Sequence, residues 1–244
     1  MRLLINLTSD KHVPKEYFNK YYFQSSIYFN LINTNFENLH NKKGFKFFTF
    51  SDFFPSGDLE PNKIKSIIIS SPNKDFIKTL FDKMNDNGLI YLSEKKLNIS
   101  SLKVYEIKNV PKIFETGSPI VLQVEKKYNK YFSFKNNNSI SCFLRRLKEN
   151  AIKKYTTYYN IEEFNFEEFI FDELMFKREV VVNLKKNGKN FLMIGSTWYY
   201  LKKIRISNDL LNFYRFIMEA GLGEKNSLGF GFINPKKIKD KRIT

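Results

Sequence analysis

The chain of 244 residues has two histidines, His12 and His40, and one cysteine, Cys142. Histidine titrates at about 6.5 when unperturbed, so it is the side chain best suited to give or take a proton near neutral pH. His12 stands just ahead of Pro14, where a turn or a helix entry accounts for it. His40 stands where a helical pattern gives way to a loop before an aromatic run, the better position of the two for chemistry. A lone cysteine excludes an internal disulfide and any cysteine-based zinc site, and it fits a reducing compartment. The 41 lysines and arginines outnumber the 25 acidic residues, a formal charge of +16. An AT-rich genome would raise lysine, asparagine and the large apolar residues through its codons alone. Excess charge nevertheless costs self-repulsion, and charge with 17% aromatic residues points to a phosphate polyanion, nucleic acid first.

The second feature with chemical potential is the glycine-rich stretch Gly221-Leu222-Gly223-Glu224-Lys225-Asn226-Ser227-Leu228-Gly229-Phe230-Gly231. It follows a helical pattern and opens a strand, the reverse of a dinucleotide fingerprint. Lys225 precedes Asn226 rather than Ser or Thr, so the stretch is not a P-loop. Two readings stay open. The glycines end a helix and let backbone pack closely, or the loop meets phosphate through Lys225, Asn226, Ser227 and free N–H groups.

The elements that must position these residues follow from periodicity. Leu3–Leu7 reads as a buried strand. Tyr17, Phe18, Tyr21, Tyr22, Ser25, Tyr28, Phe29 and Ile32 recur at helical steps behind Pro14. Strands are predicted over Phe45–Phe50, Ile64–Ser70 and Leu97–Ile107, with a helix over Asn73–Met84 that Asn87-Gly88 ends. Strand, helix, strand, strand, helix, strand is the ferredoxin-like order. The second half repeats it loosely. Strands over Pro119–Lys126 and Tyr131–Phe134 lead into a helix over Ser139–Tyr159. Strands follow over Phe164–Phe176, Glu179–Lys186 and Asn190–Trp198, with a hairpin turn at Asn187-Gly188. A helix over Asn208–Ala220 and a strand over Phe230–Ile233 close the chain before a basic tail, Lys236–Arg242. The expected architecture is therefore α+β, two tandem ferredoxin-like domains over 1–115 and 116–244, with a groove between them that suits an RNA strand.

The Gly221–Gly231 loop is similar to the one that ends the Cas-six endoribonucleases, CRISPR repeat-processing members of the RAMP superfamily. The opening Met1-Arg2-Leu3-Leu4-Ile5, the helix with Tyr21-Tyr22-Phe23-Gln24 and Ile27-Tyr28, and Leu39-His40 followed by Lys46-Phe47-Phe48-Thr49-Phe50-Ser51 also resemble that family. The resemblance implies cleavage of CRISPR repeat RNA within the precursor, with no metal and no cofactor. The RNA 2′-hydroxyl attacks the adjacent phosphorus, leaving a 2′,3′-cyclic phosphate and a 5′-hydroxyl. It carries three positions across: His40 as general acid, Lys46 as the cation at the phosphoryl oxygens, and Tyr28 as the group that orients or deprotonates the nucleophile. Lys42 and Lys43 are rivals of Lys46, either solvated or in contact with phosphate.

Other contacts are read from charge and shape. Arg145 and Arg146, with Lys148, Lys153 and Lys154, spread charge along one helix, as a solvated face or as part of an RNA groove. Trp198, Tyr199 and Tyr200 before Lys202-Lys203 are candidates for stacking bases or for the core. The competing function is a non-cleaving RAMP subunit that retains processed guide RNA. Association with a CRISPR effector complex and homodimerisation are both compatible with the sequence. No run approaches the ~20 apolar residues of a membrane span, and the apolar start is too short for a signal peptide. A cytoplasmic protein without a membrane partner is expected.

Overall fold

The computed structural model describes residues 1–125, 130–136, 139–186 and 189–236. The first half holds strand β1 (Arg2–Thr8), helix α1 (Lys20–Phe29), strands β2 (Thr49–Phe50) and β3 (Lys65–Ser70), helix α2 (Lys74–Asn87), and strands β4 (Leu89–Leu92) and β5 (Lys95–Tyr105). Leu3, Ile5 and Leu7 are fully buried, which makes β1 the centre of the sheet. It pairs antiparallel with β3 (Leu3↔Ile69, Ile5↔Ile67) and with β5 (Leu3↔Val104, Ile5↔Leu102). The order is β2-β3-β1-β5-β4.

The second half holds β6 (Ile113–Thr116), β7 (Gln123–Glu125), β8 (Lys130–Tyr131), helix α3 (Ile140–Tyr159), β9 (Glu173–Lys186), β10 (Lys189–Lys202), helix α4 (Leu211–Ala220) and β11 (Ile233–Pro235). The main sheet runs β11-β6-β10-β9, and β7 and β8 pair separately. Numbered within each β-α-β-β-α-β unit, both sheets have the same antiparallel order, fourth-first-third-second, with β4 added at one edge of the first. The tandem ferredoxin-like architecture read from the sequence is the one observed. The expected division after residue 115 falls inside β6, which pairs with β10 and β11, so the second sheet begins at Ile113.

Several predicted elements shift for identifiable reasons. Pro14 opens only a short turn, Lys15–Tyr17, and α1 starts at Lys20, where the Asn19 side chain accepts the Tyr22 N–H. The buried face of α1 is Lys20, Phe23 and Ile27, not the stripe through Tyr21, Tyr28 and Ile32. Only Thr49 and Phe50 of the Phe45–Phe50 run are strand, because Phe47 takes a left-handed backbone with φ +52°. The expected strand from Phe164 is irregular until Glu173, and the two strands expected up to Lys186 are one. Helices α2 and α3 stand where the pattern put them, capped by Asn73 and Ser139. The Asn187-Gly188 turn and the tail beyond Lys236 lie outside the described residues. Among the described residues, no helix is long and apolar enough to cross a membrane.

Candidate active site

Three side chains from three neighbouring segments meet beside α1. Tyr28 lies in its last turn, His40 ends the 3₁₀ turn Glu37–His40, and Lys46 lies on the irregular segment that leads to β2. The Tyr28 and His40 rings touch edge to face, with centroids 4.8 Å apart. Lys46 Nζ sits 5.3 Å from the centre of the Tyr28 ring and donates to the His40 carbonyl oxygen. The His40 ring is exposed, with Nδ1 3.2 Å from the Asn41 side-chain oxygen. Burial lowers the pKa of Lys46. The Tyr28 hydroxyl is buried without a well-formed hydrogen bond, and burial pushes it up to about 12, partly offset by Ser227 beside it. A phenol that high stays neutral at pH 7, so it can orient a hydroxyl but is a weak base.

Ser227 belongs to the glycine-rich loop, which the fold brings across from the second domain. Gly221 ends α4 with φ +88°. A Cβ on Gly231 would lie 1.8 Å from the Leu222 carbonyl oxygen, and one on Gly229 would lie 2.1 Å from the Phe50 ring. Close packing therefore requires these glycines. Both domains hold the loop. From the first, Thr49 Oγ1 donates to the Phe230 carbonyl (2.9 Å), Gln24 Nε2 to the Ser227 carbonyl (2.8 Å) and Lys20 Nζ to the Gly229 carbonyl (2.6 Å). From the second, Lys154 Nζ donates to the carbonyls of Gly221 and Gly223 and to Asn226 Oδ1. Lys154 is 1% exposed, and burial lowers its pKa to about 7, with Glu224 acting the other way.

A cleft of about 420 Å³ lies between Lys46 and the loop, and Tyr28 and His40 stand outside its lining. Lys46 lines it from the first domain, and Lys153, Lys225, Asn226 and Ser227 line it from the second, so its charge is mainly positive. Lys225, in a left-handed backbone, starts the turn Asn226–Leu228. The Asn226 amide is committed within the loop, donating to the Leu222 and Phe230 carbonyls while accepting from Lys154. Lys42 and Lys43 are exposed on the connection between His40 and Lys46.

The remaining expected contacts lie outside the cleft. Arg145 pairs with Glu149 one helical turn on (3.0 Å), and Arg146 donates to the Gln123 carbonyl (3.1 Å). Trp198 is buried in the second core, so it does not stack bases, and Lys203 beyond it is buried against Glu168 and Asp172. Tyr199 is exposed beneath Lys177. His12 pairs with Asp58 at 3.2 Å.

The family model described as "CRISPR associated protein Cas6, C-terminal" matches residues 93–235. The CRISPR-associated endoribonuclease Cas6 2 of Methanocaldococcus jannaschii is 41% identical over 242 residues, covering 97% of this chain and all of the relative. The chain belongs to the Cas6 family. The Cas6 endoribonuclease of Pyrococcus furiosus is 27% identical over all of this chain and 92% of its own. A solved structure titled CRISPR associated protein Cas6 superposes with a TM-score of 0.70 at 26% identity, covering 97% of this chain and 99% of its own. A second, "An RAMP protein binding different RNA substrates", shares the fold with a TM-score of 0.70 at 22% identity, over 97% of this chain and all of its own.

In this Cas6 chain the positioning residues were the hardest to find in the sequence. Lys154 belongs to the basic run expected on a solvated face or in an RNA groove, yet it continues the stripe Leu147, Ala151, Lys154, Tyr155 that α3 buries. Lys20 likewise continues the Phe23–Ile27 stripe of α1. A lysine in phase with an apolar stripe was the available signal, since a buried ammonium needs acceptors to meet it.

Proposed function

We propose that this Cas6 protein cleaves precursor CRISPR RNA within the repeat without a metal ion. The meeting of Tyr28, His40 and Lys46 beside a glycine-rich loop from the other domain carries the reading. The RNA 2′-oxygen forms a bond to the adjacent phosphorus as the bond to the next 5′-oxygen breaks. His40, exposed at the site, delivers the proton to the departing 5′-oxygen as general acid. The neutral Tyr28 hydroxyl, buried in the free protein, is uncovered as RNA binds and orients the 2′-hydroxyl, whose proton passes to water. Lys46 stabilises the charge that grows on the phosphoryl oxygens. Lys225, Lys153, Lys42 and Lys43 supply a positive field along the strand, and Asn226 acts through the loop rather than on RNA. The products are a 2′,3′-cyclic phosphate and a 5′-hydroxyl.

The test is cleavage of an end-labelled repeat RNA from the source organism in EDTA. Wild-type protein makes one cut, and His40→Ala slows it about 10²- to 10⁴-fold with RNA affinity retained. Binding by wild type without any cut would replace this reading with that of a guide-retaining subunit. Loss of cleavage on chelation would refute the metal-free step.

A further inference from the structure

A second cavity shares with the basic cleft the segment that carries Lys46. It lies between the His40 turn, residues 45–47 and the start of α2, with a volume of about 520 Å³. We infer that it receives one unpaired nucleobase of the RNA, next to the phosphate that is cut. This inference rests on the cleavage reading of the same site.

The walls suit a base. Phe36, Phe45, Phe47 and Tyr158 line the cavity, and aromatic faces are what unpaired RNA bases stack on. Phe47 is fixed before any ligand arrives. Its left-handed backbone is held by Ser71 Oγ donating to its carbonyl oxygen (2.7 Å), and its ring packs 5.0 Å from that of Tyr158. Asn35, Asn38 and Asn73 add amide groups of the kind that read base edges. The Asn73 side-chain oxygen already accepts the Phe76 N–H, so its amide nitrogen is left to donate to a ring nitrogen or carbonyl oxygen.

The position suits a base beside the reacting phosphate. Phe45, Lys46 and Phe47 line both this cavity and the basic cleft that the glycine-rich loop closes. An RNA with its phosphate at Lys46 therefore has an adjoining base within reach of the aromatic walls. Lys42 and Lys46 supply positive charge for the phosphates on either side of it. The cavity would set which nucleotide is accepted at the cut, while the cleft contacts the backbone whatever its sequence.

Repeat RNAs carrying 2-aminopurine at one position at a time are bound to the His40→Ala protein, which leaves the RNA intact. The expected result is an emission change of about twofold or more at one nucleotide flanking the cut, from stacking in the cavity, lost when Phe45→Ala is added. In the wild-type background, an abasic residue at that nucleotide lowers kcat/KM about tenfold or more. Phe45→Ala and Asn38→Ala then cut native and abasic RNA alike. No emission change at either flanking nucleotide, or one that Phe45→Ala leaves intact, would overturn the inference. Wild-type cleavage of the unsubstituted repeat is measured in parallel. A cut without Phe45-dependent emission removes the base site alone, whereas no cut removes the cleavage reading and the base site with it.

Discussion

Replacing Lys154 with methionine tests how the glycine-rich loop is held. The substitution keeps the length of the side chain but leaves the Gly221 and Gly223 carbonyls and Asn226 Oδ1 without their donor. An unsatisfied buried acceptor costs about 1–3 kcal/mol, and removing the need to bury an ammonium returns part of that. A net loss of about 2–4 kcal/mol at pH 7 follows. The pH dependence carries a separate signature. Burial lowers the Lys154 pKa from 10.5 to about 7 in the folded protein. Below pH 7 both folded and unfolded chains hold the proton, so stability is flat in this group. Between pH 7 and 10.5 the unfolded chain holds a proton that the folded chain has shed, so stability rises with pH. Wild type gains about 2 kcal/mol from this group between pH 7 and 9, and Lys154→Met does not. Urea denaturation of both proteins at pH 6, 7, 8 and 9 reads the difference, which should be smallest at pH 6 and widen upward. Parallel stability curves would show that the three oxygens keep the ammonium charged throughout, against the effect of burial. A loss under about 0.5 kcal/mol at every pH would show that Lys154 does not hold the loop.

Tyr28→Phe separates chemistry from packing: the buried hydroxyl lacks a well-formed hydrogen bond, so thermal unfolding should change by under about 1 kcal/mol. Cleavage should still fall about 10- to 100-fold, and a fall in stability as large as the fall in rate would make Tyr28 structural. Lys46→Ala should lower cleavage about 10²- to 10³-fold by removing charge at the phosphoryl oxygens, with partial recovery in Lys46→Arg; equal rates for all three proteins would exclude that role. Gly229→Ala should cost about 2–5 kcal/mol, because its Cβ would sit 2.1 Å from the Phe50 ring in a left-handed backbone, and an unchanged melting curve would contradict the packing of the loop.

The parts of the fold legible in the sequence were those that local chemistry decides. Asn73 and Gly88 bound α2, and Ser139 opens α3, because caps and glycine ends act within one turn. The parts that were not legible depend on partners distant in sequence. The Phe45–Phe50 run has every local mark of a strand. Phe47 is turned out of one by Ser71, by Tyr158 of α3 and by Phe216 of α4, none of which a local window contains. In α1 the helical period was right and the phase was not. Lys20 takes an inward position because the carbonyl of Gly229, 209 residues away, and Asp52 receive its ammonium. The candidate site divides in the same way. Tyr28, His40 and Lys46 follow from the resemblance and meet in space, whereas the two lysines that hold the loop over them gave only a weak signal.

Tyr28, His40 and Lys46 all come from the first domain, while Ser227 and Lys225 come from the second. The loop between them is tied by one buried lysine nitrogen from each side, Lys20 at Gly229 and Lys154 at Gly221 and Gly223. Arg2 adds a further clasp, its guanidinium donating to the Met218 and Ile233 carbonyls and lying over the Phe232 ring. Apolar contact alone would let the domains slide, since it has no preferred direction. Charged donors aimed at carbonyl oxygens fix both distance and angle. Catalysis that relies on placing a 2′-hydroxyl in line with a phosphorus is sensitive to displacements of about 1 Å. The buried lysines and Arg2 therefore set the spacing between the histidine turn and the glycine-rich loop. They add direction to the apolar contact that Phe47 makes with Tyr158 and Phe216 across the same junction.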